Sequence, residues 1–396
     1  MNTVSVREHA RLTTGPVPGG SLDVASVPVS AFDWLCQEAQ RYRTTGAPLV
    51  RIEGRHWLRL DNYVGVLETP CGTRIEILPK HVHGESDVAS ARRVLIRMLR
   101  VALHLPVRYS GPTALQTFDA PVSEWIIQQF LHELDALVRR GLRFDYQPVE
   151  EETRFLRGRL QLARQLRQPA GRQHLFQIEH QLVELPRSRD IAGDFRRWSS
   201  DRLMSHYAAI RSWCELILSD RNPMSAMGHW TGRSLLFPME KVFEAYVEAS
   251  LRRSLPPGAR LRTQAASHYL CRQGDRRLFQ LRPDFLIEHE DSVWVVDAKW
   301  KLLDVADVQN HYGLSQGDFY QLFAYGCRYR RGHGRLALVF PKTQRFPEPL
   351  ETFNLDDGLL LDALPLDLES GKLTSAGFGP GAWRVATLAS TEEAGA

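Results

Sequence analysis

Leu281-Arg-Pro-Asp-Phe-Leu-Ile287, followed by Val293-Trp-Val-Val-Asp-Ala-Lys-Trp-Lys301, is the stretch that decides how this chain is read. Each half is an apolar, strand-like run. The first carries Asp284, and the second, thirteen residues later, carries Asp297 and then Lys299. Residues two apart on a strand share a face, so Asp297, Lys299 and Lys301 are expected to point together, with Ala298 and Trp300 opposite. Pro283 fits the start or edge of a strand, where a missing N–H is tolerated. Antiparallel pairing of the two runs would bring both carboxylates within reach of one divalent ion. Carboxylates that close repel unless a cation lies between them. The backbone carbonyl of Ala298 offers a further hard ligand. Oxygen ligands for Mg²⁺ and a compact ammonium facing a phosphate are what metal-dependent phosphodiester cleavage requires. The expectation is a nuclease.

Composition sharpens this reading. Of 50 Lys and Arg residues only six are lysines, and two of those fall in the pentapeptide Asp297-Ala-Lys-Trp-Lys301. An ammonium is a compact charge that shifts its pKa readily, which a guanidinium is not. The alternative is an edge strand with solvated charges, but six apolar or aromatic residues interleave through 293–300. A net charge of +4 says little about nucleic acid by itself. Its distribution says more: basic residues gather at 139–172, 252–282 and 328–345, while the tail beyond Pro347 is mostly acidic. Basic stripes of this kind can track a phosphate backbone.

Other features exclude function classes. No apolar run approaches the roughly 20 residues that span a bilayer, so no membrane partner is expected. The first twelve residues carry charges without an apolar core, unlike a signal peptide. Cys36, Cys71, Cys214, Cys271 and Cys327 are scattered, with no zinc or redox spacing, which fits a reducing cytoplasm. No phosphate-binding loop of the Gly-x-x-x-x-Gly-Lys-Ser/Thr type occurs, so this chain is expected to bind no nucleotide itself. If nucleotide hydrolysis drives the system, another chain supplies it.

Along the chain, a short strand is expected near 4–12 and a helix from Ser30, with Asp33 completing a capping box. Residues 49–79 read as one β-meander with strands at 49–52, 56–60, 63–68 and 74–78. A helix follows over 88–105. The next section reads as mostly helical, with Ser123 capping a helix that stops at Gly141, a mixed segment over 155–185 and a long helix over 194–219. Pro238 is expected to open another helix. Three strands follow (260–270, 278–287 and 292–299), then a helix over 316–330 and a buried strand over 335–340. Residues 387–396 read as a disordered end.

Two helices add candidates. Glu244 lies one turn beyond Glu240, and a solvated or capping charge explains it about as well as a functional one. Asp318, Gln321 and Tyr325 share one face of the later helix. Ser315-Gln-Gly-Asp318 is itself a capping box, which accounts for Asp318. Gln321 and Tyr325 are polar on the packed side and need partners. Orienting Lys299 or contacting DNA are the two roles open to them.

The order helix, three strands, helix, strand, with Pro283-Asp284 and Asp297-Ala-Lys299, resembles the PD-(D/E)xK nuclease core. Gln321-x-x-x-Tyr325 resembles the RecB-like branch of that superfamily. Asn62-Tyr-Val-Gly-Val-Leu67, Arg74-Ile-Glu-Ile-Leu-Pro-Lys80, 94–99, Leu156-Arg-Gly-Arg-Leu160 and Phe243-Glu244 resemble the McrC family, in the same linear order. The stretch 179–189 follows that family only loosely, with Ser188 where an Asn is expected. The resemblance implies an α+β fold in three parts: an N-terminal β-rich partner-docking domain (1–115), a helical connecting region (116–225) and a PD-(D/E)xK endonuclease domain (226–396). It implies the nuclease subunit of a modification-dependent, 5-methylcytosine-type restriction system, whose partner is a McrB-like, GTP-hydrolysing AAA+ hexamer that this chain stimulates. The substrate would be double-stranded, methylated DNA. Asp284, Asp297 and Lys299 carry over as the catalytic set, with Mg²⁺ (or Mn²⁺) held by Asp284, Asp297 and the Ala298 carbonyl, and with Glu244, Gln321 and Tyr325 in support. Two other readings stand beside it: a stand-alone RecB-like repair nuclease, and a protein that chiefly regulates an AAA+ NTPase.

Overall fold

Apolar runs form strands almost wherever the sequence predicts them, but they are shared among more sheets than a single meander would build. The computed structural model describes residues 3–17, 21–41, 49–54, 56–81, 87–102, 122–140, 169–182, 190–198, 235–290, 292–355 and 358–374, with a few positions between 207 and 214. The described residues form a mixed fold of sheets and seven helices. The chain divides into two units, one of Met1–Pro79 with Asp87–Pro238 and the other of Lys80–Ser86 with Met239–Ala396. The expected turn at Gly141, the stretches 156–160 and 183–189 and the end 387–396 lie outside the described residues.

In the first unit the strands are β1 (Thr3–Arg7), β2 (Arg11–Thr13), β3 (Val24–Ser26), β4 (Val50–Ile52), β5 (Leu58–Leu60), β6 (Tyr63–Glu68), β7 (Arg74–Leu78) and β8 (Leu235–Pro238). They make two four-stranded sheets, ordered β1-β7-β6-β8 and β3-β2-β5-β4. The expected meander therefore breaks after β5, and its two halves belong to different sheets. The cause is β7, whose five residues are all buried and need pairing on both edges. Parallel β1 takes one edge and antiparallel β6 the other. Arg74 and Glu76 are tolerated inside because each is paired: Arg74 reaches Glu68 at 3.1 Å, and Glu76 accepts two bonds from Arg92 at 2.9 and 2.7 Å. A buried charge stripped of such partners would be strongly destabilising.

Helix α1 (Val29–Arg41) starts one residue before the expected cap. Ser30 and Asp33 lie within it, and the Pro28 carbonyl accepts from the Ala31 and Phe32 N–H groups at 3.0 Å. Helix α2 is Val88–Ala102, and α3 (Val122–Arg139) likewise begins before Ser123. The mixed segment contains α4 (Pro169–Gln181). The long helix expected over 194–219 does not run on from its start: α5 (Ile191–Arg197) is capped by Asp190 and ends at Trp198, which is extended at ψ 101°, and most of 199–219 lies outside the described residues. Strand β8 pairs with β6, so the expected 226–396 domain contributes its first strand to the other unit.

The second unit is built on a six-stranded sheet ordered β15-β16-β14-β13-β12-β9. Helix α6 (Met239–Ser254) precedes β9 (Arg260–Thr263), β10 (His268–Gln273), β11 (Arg276–Leu281), β12 (Phe285–His289) and β13 (Ser292–Ala298). Pro238 closes β8 rather than opening α6. Then come α7 (Gln316–Tyr329), β14 (Gly334–Pro341), β15 (Phe353–Leu355) and β16 (Leu359–Leu366). Two of the three expected strands split. The run 260–270 divides into β9 and β10 at Gln264, whose φ is +49°. The run 278–287 divides into β11 and β12 at Pro283, which cannot donate to a ladder. β10 and β11 leave the main sheet as a two-stranded ribbon. β13, β14 and β16 run parallel, and α7 supplies the crossover between β13 and β14. Leu322 and Tyr325 of α7 pack with Val295, Leu336, Leu338 and Leu361, each aliphatic side chain contributing roughly 1.5–3 kcal/mol by leaving water. β16 is an apolar strand within the acidic tail, tied to β14 by Arg335 and Asp362 at 2.9 Å.

Candidate active site

Asp284 stands immediately before β12, and Asp297 is the penultimate residue of β13. The antiparallel register Phe285↔Val296 places the two acids opposite each other, one position further along. Asp284 is anchored at both ends. Its carbonyl accepts from the Gln264 N–H at 2.9 Å, and its Oδ2 accepts from the Ala298 N–H at 2.9 Å. Lys299 lies past the end of β13 but stays extended, because its N–H donates to the Val339 carbonyl at 2.9 Å. Its Nζ returns to Asp297 Oδ2 at 2.7 Å, as expected of two residues sharing a face. Lys301 leaves that line. Its N–H turns back to the Lys299 carbonyl at 3.0 Å, and its ammonium goes to Asp318 and to Ser315 Oγ.

Helix α7 supplies the support for Lys299. Lys299 Nζ donates to Gln321 Oε1 at 3.0 Å, Gln321 Nε2 donates to Tyr325 OH at 2.8 Å, and Tyr325 OH donates to the Arg282 carbonyl at 3.0 Å. Of the two roles open to Gln321 and Tyr325, the contacts are those of orienting Lys299. Ser315 caps α7, its Oγ accepting from the Asp318 N–H and donating to the Asp318 carboxylate, as the capping-box spacing predicts; Asp318 also pairs with Lys301 and lies 3.9 Å from Lys299 Nζ.

Glu244 on α6 joins the same cluster. It takes Lys241 on one side and Gln264 Nε2 on the other, and Gln264 Nε2 also reaches Asp284 Oδ1 at 3.2 Å. The bridging Gln264 is not among the residues anticipated from sequence. Nothing in strand alternation marks it, since it sits where an expected strand breaks.

The electrostatics follow from burial. Asp297 is 1% exposed. Burial pushes Asp284 up to about 7, with the Asp297 charge adding to the effect and the Ala298 N–H opposing it. Asp297 is raised too, by burial, while Lys299 pulls it back. Burial alone would depress Lys299, but Asp297 outweighs it and keeps the ammonium charged. Two destabilised carboxylates against one lysine leave the pair short of positive charge.

These residues fit a small, hard cation. Asp284, Asp297 and the Ala298 carbonyl are all oxygen donors, the class that suits Mg²⁺ and Mn²⁺. Among the described residues no group of three or more His, Cys, Asp or Glu side chains is placed to hold a metal ion, so the candidate donors are two carboxylates and a carbonyl. Mg²⁺ commonly takes only one or two carboxylates and keeps several waters.

A mixed fold carrying an acid–acid–lysine cluster defines the class of protein, and comparison with known proteins defines the family. Residues 58–182 and 178–341 match the model of the family described as McrBC 5-methylcytosine restriction system component, and the chain belongs to that family. No curated protein matches it. A refined half-complex from the tetradecameric assembly of Thermococcus gammatolerans McrB AAA+ hexamers with bound McrC contains a chain of similar fold. That match has a TM-score of 0.66 at 16% identity and covers 92% of this chain and 95% of that one. A chain of the cryo-EM structure of the Thermococcus gammatolerans McrBC complex matches with a TM-score of 0.46 at 16% identity, over 64% of this chain and 88% of that one. Among the described residues no helix is long and apolar enough to cross a membrane.

Proposed function

We propose that this chain is the Mg²⁺-dependent DNA endonuclease subunit of its restriction system, with the PD-(D/E)xK core as its catalytic part and an McrB-like AAA+ hexamer as its partner. The observation that carries the proposal is the convergence of Asp284, Asp297 and Lys299 at the ends of two paired strands, with both carboxylates raised. The Thermococcus assembly, which joins McrB AAA+ hexamers to bound McrC, supports the partner. That partner would bring the nucleotide hydrolysis and the recognition of methylated duplex DNA, and this chain would stimulate its turnover.

Asp284 and Asp297 would hold the cation, with the Ala298 carbonyl beside them and Glu244 in support through Gln264. Bound Mg²⁺ would lower the pKa of water and offset charge developing on the scissile phosphate. Asp297 holds the Lys299 ammonium by charge, and Gln321 holds it by a hydrogen bond. Held at two points, the ammonium is pre-aimed at a phosphate oxygen, so that no reorganisation is needed when negative charge develops there. Tyr325 fixes Gln321 in turn.

The test is to co-express the chain with the AAA+ protein encoded beside it and to assay methylated and unmodified plasmid with Mg²⁺ and GTP or ATP. Cleavage that requires the partner, the nucleotide and Asp297 is expected. Cleavage by this chain alone would point to a stand-alone repair nuclease. No cleavage under any condition, with motor turnover still stimulated, would leave a regulator.

A further inference from the structure

The ribbon β10–β11 is the feature that the site does not explain. Its register keeps one phase from His268↔Leu281 to Gln273↔Arg276, with Leu270 and Phe279 left out of the ladder, and it is closed by a two-residue turn at Gly274 and Asp275, with Gly274 at φ +58°. Between residues 260 and 282 the chain carries six arginines and a single acid, Asp275. Arg272 and Arg277 stand directly opposite each other, with Arg276 beside them. None of the three has a carboxylate partner among the described residues; Arg277 lies over the Tyr269 ring at 5.8 Å. Like charges opposed across a ladder destabilise it. A ribbon that keeps them is arranged for an anion laid along it.

Phe279 is the second observation. It is 69% exposed, and its φ is +58° within β11. Left-handed backbone is uncommon for a bulky residue and is costly to hold. Here it presents an aromatic ring to solvent two residues along the strand from Arg277.

The third observation is attachment. Helix α7, which steadies Lys299 through Gln321, also grips the base of the ribbon. Tyr329 OH lies 2.6 Å from the Ala265 carbonyl and 3.0 Å from the Leu281 carbonyl, and the Tyr329 ring packs edge-on to His268 at 4.4 Å. Arg328 donates to the Leu270 carbonyl, and Tyr325 holds the carbonyl of Arg282, two residues before Asp284. The arm and the carboxylate pair are thus held by one helix.

We infer that the β10–β11 ribbon is a DNA-binding arm that seats in a groove of the duplex beside the scissile phosphate, with Arg272, Arg276 and Arg277 on phosphates and Phe279 against sugars or bases. A strand of six residues is roughly 20 Å long. A two-stranded ribbon is of a width that the major groove admits. The inference rests on the endonuclease reading, because it places the substrate of that same site.

The experiment uses the full chain with calcium in place of magnesium and a labelled, unmodified duplex of about 25 base pairs, titrated between roughly 50 and 200 mM salt. The triple variant R272A/R276A/R277A should lose about 10- to 100-fold in affinity, with a salt slope shallower by about two to three. R272K/R276K/R277K should keep the slope, and F279A should weaken binding without changing it. Unchanged thermal midpoints exclude unfolding as the cause. Wild-type affinity and slope in the alanine triple variant, or no duplex binding by the wild-type chain at low salt, would overturn the arm. Cleavage by the assembled complex with the arm variants binding normally would leave the endonuclease reading standing. Ribbon-dependent binding with no cleavage in magnesium would support the arm and overturn that reading instead.

Discussion

Burial and the neighbouring Asp297 hold the Asp284 carboxyl up to about 7, well above the ordinary carboxylate range, and this has a consequence for stability. A group whose pKa is raised by folding binds its proton more tightly in the folded state. Its contribution is complete below the unfolded value of about 4 and is lost as pH climbs through the folded one. The metal-free chain should therefore unfold at a lower temperature near pH 8 than near pH 5, and Asp284→Asn should flatten that slope and raise the stability at pH 8 by the order of 1 kcal/mol or more, with a correspondingly higher midpoint. Thermal melts in a chelator check this, and added Mg²⁺ should stabilise the wild type more at pH 8 than at pH 5. Gln321 is the other side chain with a defined outcome. Gln321→Leu removes the acceptor for Lys299 and the donor to Tyr325, and should slow single-turnover cleavage by about 10²-fold, the usual cost of misplacing a catalytic group by an ångström. A rate within a factor of about two of wild type would deny Gln321 a positioning role.

Strand β6 shows how a short element constrains its neighbours. Gly65 has φ +125°, and a Cβ there would sit 2.0 Å from the Leu235 carbonyl oxygen of β8. The two strands can pair only because residue 65 has no side chain. Gly65→Ala should cost about 3 kcal/mol or more, since backbone strain and overpacking of roughly 1–3 kcal/mol each act together. Chemical denaturation reads this directly, and a loss below about 1 kcal/mol would mean that β8 detaches freely. In the second unit the elements that carry chemistry are the ones that end early. β13 stops at Ala298, β12 starts after Asp284, and β9 stops at Thr263, which places Asp297, Lys299, Asp284 and Gln264 at one end of the sheet.

The division into two units separates the candidate site from the rest of the chain. Asp284, Asp297, Lys299, Glu244, Gln321 and Tyr325 all belong to the second unit. On the proposed function, Asp297→Ala and Lys299→Ala should therefore abolish cleavage while leaving association with the proposed AAA+ partner and the stimulation of its turnover intact. Pull-down and nucleotide-turnover assays beside the cleavage assay check the separation. Loss of partner binding in either variant would place docking on the catalytic unit.

Asp284, Asp297 and Lys299 were legible in the chain because strand periodicity and the rarity of lysine are local properties, visible without neighbours. Gln321 and Tyr325 were legible as polar residues in search of partners on an apolar helix face. Gln264 was not, because its role arises where a strand breaks and two others converge. The partition of 49–79 between two sheets was equally hidden, since β7 takes its edges from β1, whose paired residues lie 71 positions earlier, and from β6. Local pattern decides which residues can form strands and which carry charge. Pairing between distant segments, driven by the need to satisfy every buried backbone and charged group, decides which of them meet.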